Sequence, residues 1–370
     1  MKRRTFLGGA SIAAFGMAAA ASAIPESDAV DAAGPAPPKE PPIDPAWPII
    51  DAHHHLWDVP ARAGRPANRY LLPDILADIV GSGHNITSTV FVECMTMYRA
   101  AGPAELRSLG ETEFVNGIAA MSASGNYGPS RVAAGIVANI DMRLGDGVRP
   151  VLDAHRAIAG SRLKGVRNAT AWDDFPVMGI ALDHARFDWL LDPRVSKGLA
   201  VLGSEGLVFE SWIFHTQLGQ LSAVATENPN VTIILGHTGT PIMIGPYAGQ
   251  QKAVFDLWRR GIIDLAHRPN VVVKLGGLGM SFMNPGWVSR EPRLTSADIA
   301  QQWRPYIETC IEAFGPRRCM FESNFPPDRA TCDYGTLWNV FKRIAAPYSE
   351  NEKSALFSGT AARVFRLQSA

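Results

Sequence analysis

The sequence predicts a single-domain α/β protein of the closed, parallel (β/α)8 or TIM barrel type, and three observations carry that prediction. Short β-branched or aliphatic runs recur eight times, the segments between them have helical spacing, and no Gly-rich phosphate turn follows the first run. The last point separates a closed barrel from an open doubly wound sheet, which is expected to carry such a turn. A chain of 370 residues with 46% apolar content is long enough to bury a core of this size.

Two segments precede the barrel. Residues 1–23, MKRRTFLGGASIAAFGMAAAASA, have a basic start, a short Ala/Gly-rich apolar middle and a small-residue exit, the pattern of an export signal. Arg3 and Arg4 ahead of Thr5, Phe6 and Leu7 resemble a twin-arginine signal, with cleavage expected after Ala23 and a periplasmic or exported mature chain. The apolar stretch is short and weakly hydrophobic for a membrane span, so no stable membrane insertion is expected once the signal is cut. Residues 24–47 are Pro- and Ala-rich and read as an extended linker or arm, and the barrel is assigned to residues 48–367.

The eight runs are WPIIDAHHH (47–55), TSTVFVEC (87–94), AAGIVANID (133–141), RLKGVRNAT (162–170), GLVFESWIFH (206–215), VTIILGH (231–237), VVVKLGG (271–277) and RRCMFESNF (317–325). Between them PVLDAHRAIAG, QLSAVATENP, QKAVFDLWRRGIIDLAH and QQWRPYIETCIEAFG have the apolar periodicity of helices. In this architecture the active site forms at the C-terminal strand ends. Those ends hold His53, His55, Glu93, Asp141, Arg167, His215, His237 and Asn324, whereas His84, His155, His184 and His267 fall in helices or loops.

Side chains alternate across a strand, so His53 and His55 share one face and His54 points away. Neutral imidazoles are good zinc ligands, and a catalytic zinc takes three protein ligands with one position left for water. His53 and His55, with His215 as third ligand, therefore form a candidate site for one divalent metal, zinc by its donor set; a hydrogen-bonded polar layer without metal is the alternative. His237 opens a Gly/Pro loop, where a histidine can polarise a carbonyl or act as acid and base. Arg99 and Arg167 are candidates to grip a substrate carboxylate, and Trp57 and Tyr98 to wall a ring-shaped substrate, as are Trp172 and Trp212.

Lys+Arg and Asp+Glu both count 35, so no net field draws the chain to nucleic acid or an anionic membrane, and a small-molecule substrate is expected; self-association into a homo-oligomer stays open. The four cysteines show no CxxC spacing, which argues against a zinc knuckle or disulfide scaffold, although a Cys310–Cys319 bridge would suit an oxidising compartment.

DAHHHLWD, VFVEC, FHTQL, LGHTGTP, MFESNFPPD and LFSGTAARVFRL, in this order from about residue 48 to 367, together resemble the second amidohydrolase family of the amidohydrolase superfamily, in its lactonase-like branch. The resemblance implies hydrolysis of a lactone, ester or amide, with His53, His55 and His215 at metal-ligand or carbonyl-polarising positions and His237 at the strand-6 histidine. It also implies an aspartate at the end of strand 8, where this chain has Asn324. An amide cannot accept a proton at accessible pH. Glu93, Glu322 and Asp328 are the carboxylates available as substitute base, and Glu93, at a strand end, is the one favoured here.

The sequence thus points to an exported hydrolase of a small cyclic ester, carboxylate-bearing or aromatic. The rival readings are a metal-dependent decarboxylase on the same histidines and a barrel that binds ligand without turnover, the latter prompted by Asn324.

Overall fold

A computed structural model describes residues 40–62, 66–177, 188–287, 290 and 293–367. The segment read as an export signal and most of the Pro/Ala-rich arm lie outside the described residues. Eight parallel strands follow one another around a single sheet in sequence order: β1 Ile49–His54, β2 Ile86–Val92, β3 Arg131–Ala138, β4 Leu163–Ala169, β5 Val208–Trp212, β6 Ile233–Leu235, β7 Val271–Leu275 and β8 Cys319–Phe321. The helices that alternate with them are α1 Leu72–Ser82, α2 Leu109–Ala123, α3 Val148–Ala159, α4 Pro193–Ser204, α5 Leu218–Glu227, α6 Gln251–Ala266, α7 Ser296–Phe314 and α8 Tyr334–Ala345, with the short helices Glu350–Ser354 and Thr360–Phe365 beyond. Every strand residue of β5 to β8 is buried, as a sheet covered on both faces requires.

The seam between β8 and β1 is closed by a side chain as well as by backbone. Asp51 Oδ1 accepts from Ser323 N (2.9 Å) and its Oδ2 accepts from Tyr334 Oη on α8 (2.8 Å). Further along, Asn324 N donates to the His53 carbonyl (2.9 Å), and His55 N donates to the Phe325 carbonyl (2.8 Å). Burial pushes the Asp51 carboxyl up to about 6 against the pull of these donors.

Inside, the lower barrel is apolar. Ile50, Ala52, Val90, Val208, Val272 and Met320 form one buried cluster with Ala361, Val364 and Phe365. Those last three belong to the helix Thr360–Phe365, which therefore floors the barrel. Fully burying one such Val, Ile or Phe contributes about 1.5–3 kcal/mol. Above this floor the interior turns charged: His53, Glu210, Lys274 and Glu322 are all fully buried. The Lys274 ammonium lies 5.5 Å from the Phe365 ring centroid, at the boundary between the two layers.

Residues 40–47 are hydrogen-bonded to the outer helices. Glu40 accepts from Ser296 N (2.6 Å), Asn339 Oδ1 accepts from Ile43 N (2.8 Å), and Lys342 Nζ donates to the carbonyls of Ile43 and Asp44. All four cysteines are free thiols, so the Cys310–Cys319 bridge is not formed; Cys319 Sγ instead donates to the Cys310 carbonyl. No helix among the described residues is long and apolar enough to cross a membrane.

Candidate active site

The register of β1 against β2 shifts between Asp51 and His54. Ala52 belongs to the interior cluster and His53 meets interior carboxylates, so two successive residues face inward there, as a bulge allows. Beyond the bulge His53 and His55 share the inner side, with Nε2 atoms 3.1 Å apart. His54 turns outward to Thr89 Oγ1 (2.8 Å). The inward pair and outward neighbour match the sequence expectation, but strict alternation along β1 is not how they arise.

His237 stands just past β6 at φ 54, and its ring lies 4.7 Å from that of His53, centroid to centroid. Glu322, just past β8, ties the two together. Its Oε1 accepts from His237 N (3.0 Å) and lies 2.9 Å from His237 Nδ1, while its Oε2 lies 2.9 Å from His53 Nδ1. Two glycines after β7 make this approach possible: a Cβ on Gly277 would sit 2.3 Å from His237 Nδ1, and one on Gly276 would sit 2.5 Å from Glu322 Cγ. The GG of VVVKLGG is thus a clearance for the site.

Beneath, Lys274 Nζ donates to Glu210 Oε2 (2.7 Å) and lies 3.2 Å from His53 Nδ1. Burial holds His53 and His55 well below the usual histidine range, Lys274 adding to the effect at His53 and Arg167 at His55. Both are therefore neutral imidazoles. Burial alone would raise Glu322, but His237 and His53 outweigh it and hold the carboxyl well below the ordinary range.

These residues fit a divalent cation. His53, His237 and Glu322 offer ligand atoms all within 4.8 Å of one another, and this is the His/Cys/Asp/Glu grouping of that kind among the described residues. The 3.1 Å between the His53 and His55 Nε2 atoms is close to the roughly 3.3 Å between two nitrogens on one tetrahedral zinc. Glu322 Oε2 and Glu210 Oε1 are buried acceptors without a well-aligned hydrogen bond, which is the electrostatic situation a cation relieves.

His215 is not gathered into this cluster. It heads the turn after β5, its Nδ1 accepts from Ile242 N (3.5 Å), its ring meets Tyr247, and its buried Nε2 has no partner. Burial brings its pKa down to about 4.

The other side of the mouth is an ion pair. Arg167 Nε donates to Glu93 Oε1 (2.8 Å), and Arg167 Nη2 donates to the Glu93 carbonyl; both side chains are almost fully buried. The carboxylate favoured as base from sequence is thus bound to a guanidinium, leaving Oε2 buried without a partner. Arg99 is 41% exposed and pairs with Glu113, on the surface rather than in the cluster. Trp57 stacks near His55 (6.1 Å, 22°) and donates from Nε1 to Asn68 Oδ1. Tyr98 carries its hydroxyl beside Glu111 and Glu93, buried and without a partner. Asn324, at φ 50, donates from Nδ2 to Asp328 Oδ1 (2.7 Å).

Sequence reasoning missed Lys274 and Glu210. The signal was present: each is the lone charge inside a buried strand, VVVKL and VFESW.

The profile of the amidohydrolase family matches residues 50–367. The chain belongs to that family and is a hydrolytic enzyme of its lactonase-like branch. Among similar proteins, the uncharacterized protein y4mH of Sinorhizobium fredii is 33% identical over 341 residues, 86% of this chain and 98% of its own. An L-fucono-1,5-lactonase of Burkholderia ambifaria is 23% identical over 325 residues, 86% of this chain and 95% of its own. Among solved structures, an amidohydrolase from Burkholderia multivorans with bound zinc superposes with a TM-score of 0.66 at 25% identity, covering 87% of this chain and all of that one.

Proposed function

We propose that this hydrolase opens the lactone ring of a small polyhydroxylated acid. The observation that carries the reading is the cluster of His53, His55, His237 and Glu322 at the strand ends, with His53 and His55 neutral and Glu322 Oε2 unsatisfied. The lactonases among its relatives, and a zinc-bound structural neighbour, support it. A divalent ion, zinc by the donor set, would be held by residues drawn from this cluster and would supply Lewis-acid polarisation of the carbonyl. Glu322 orients His237 through Nδ1 and leaves Nε2 free, so the pair can take the proton of an attacking water and stabilise the imidazolium that results. That assignment replaces Glu93, whose Oε1 is bonded to the Arg167 guanidinium.

Hydroxyl groups suit the mouth better than a carboxylate. Both arginines singled out from the sequence are engaged by glutamates. The buried atoms left without partners there, Tyr98 Oη, Trp212 Nε1, His215 Nε2 and Glu93 Oε2, are a mixed set of donors and acceptors.

The test is acid release from L-fucono-1,5-lactone and a panel of sugar and aromatic lactones, followed with a pH indicator. One equivalent of acid and no carbon dioxide is expected. Carbon dioxide release would turn the reading to decarboxylation, and absence of turnover across lactones, esters and amides would end it. Export through the twin-arginine route is part of the proposal: Arg3→Lys with Arg4→Lys should retain the protein in the cytoplasm, and unchanged export would refute that part.

A further inference from the structure

We propose that Asp328 is a positioning residue for Asn324, deciding which end of the Asn324 amide is spent in the protein wall and which is left to the site. The functional consequence rests on the proposed hydrolysis; the geometry does not.

Asn324 is pinned beside the first-strand histidines by its N–H bond to the His53 carbonyl (2.9 Å), with backbone in the left-handed region that Asn tolerates. Its chain then returns on itself. Asp328 N donates to the Asn324 carbonyl (3.1 Å), which sets the two side chains against each other. Asp328 is fully buried; its Oδ2 accepts from Gly279 N (2.9 Å) and its Oδ1 from Asn324 Nδ2 (2.7 Å). Thr331 Oγ1 donates to the Gly279 carbonyl (2.7 Å) and holds that loop in place. The Asn324 nitrogen faces Oδ1, and once Asp328 is ionised, above about pH 8, its carboxylate only accepts and, with Oδ2 taken by Gly279, enforces that orientation. The Asn324 oxygen is then the free end, and no hydrogen bond to it comes from the described residues. It offers an acceptor where the family pattern has an aspartate: enough to orient a water molecule, though not to take its proton.

The hydrogen-bond logic supplies the test. In Asp328→Asn the new amide must turn its oxygen to Gly279, so its nitrogen meets position 324 and the Asn324 amide flips. Combining Asp328→Asn with Asn324→Asp exchanges the two groups and keeps every bond, since the new amide donates to the new carboxylate and still accepts from Gly279. Full-length protein labelled with 15N-asparagine is read at pH 9, above the value of about 8 to which burial pushes Asp328. A protected Asn324 side-chain N–H is expected in wild type and lost in Asp328→Asn. On the lactone that turns over, kcat should fall about 100-fold in the single variant, the scale of a misplaced group, with KM little changed. The exchanged pair should recover at least about tenfold of that. A single variant that keeps the protected amide, or a folded exchanged pair no faster than the single variant, would overturn the proposal. If Asp328→Asn does not fold, the exchanged pair decides alone: wild-type-like kcat supports the role, and a loss of about 100-fold or more refutes it. If wild type hydrolyses no lactone, the proposed function fails while amide protection still decides this one.

Discussion

On the β1, β6 and β8 side of the mouth, one carboxylate, Glu322, sits between two histidines, with its Oε2 lacking a well-aligned hydrogen bond. On the β2 and β4 side, Glu93 and Arg167 neutralise each other in a two-point contact. The sides are equally buried and equally polar, so burial does not distinguish chemistry from architecture. What differs is the counter-group: Glu322 faces imidazoles and Glu93 faces a guanidinium, although each keeps one oxygen without a well-aligned hydrogen bond. A carboxylate set against imidazoles can bind an ion or move a proton; one paired with a permanently charged guanidinium holds strands together and shapes the wall.

The largest expected effect follows from removing Glu322. Glu322→Gln cannot hold both histidines as acceptor, and kcat should fall by about 10²–10⁴-fold, the range for losing acid–base function. Bound metal, measured by elemental analysis of the purified chain, should fall with it. A near-normal rate would collapse the contrast between the two sides.

Gly277→Ala should come next. Its φ of 65 and the 2.3 Å approach of the new Cβ to His237 Nδ1 displace the ring without touching its chemistry. A loss of about 100-fold in kcat, with the far-ultraviolet circular dichroism unchanged, is the expected result.

Glu93→Gln should cost less in rate than either, about tenfold at most, because its partner is Arg167. It should instead lower the melting temperature, since it leaves a buried guanidinium with a weaker acceptor. A larger rate loss than in Glu322→Gln would return the base to Glu93.

The smallest effect concerns Glu111, behind Glu93. Its Oε1 accepts from Cys94 N (2.9 Å) and Thr96 N (3.0 Å), and burial together with Glu93 pushes its pKa up to about 8. The folded state therefore holds a proton that the unfolded chain releases between about pH 4.3 and 8. Stability from this group declines as pH rises through that window and is flat above it. Glu111→Gln keeps the acceptor and loses the titration, so its melting temperature relative to wild type should rise from pH 5 to pH 8.5. A constant difference would show that Glu111 does not titrate there.

Much of the fold was legible because a closed barrel repeats one signal eight times: six runs contain their strands, and the strands Ile86–Val92 and Arg131–Ala138 start one and two residues ahead of theirs. His53, His55 and His237 were legible for a related reason, since polar residues ending apolar runs must lie at the mouth. The partners were not. Whether Glu93 meets Arg167, or Glu322 meets His237, depends on the register and twist of strands far apart in sequence. Arg99 shows the same limit, because a loop residue just past a strand end is free to turn outward to Glu113. Lys274 and Glu210 were visible as lone charges within their strands, but only their pairing gives them a place.

The helix Thr360–Phe365 supplies the floor of the barrel, with Phe365 beneath Lys274. During synthesis these residues emerge after all eight strands, so a nascent chain can align its sheet while the charged layer still opens to water from below. Until these residues dock, the apolar cluster beneath the strands is uncovered, and a change at Phe365 should be felt first in the yield of folded protein.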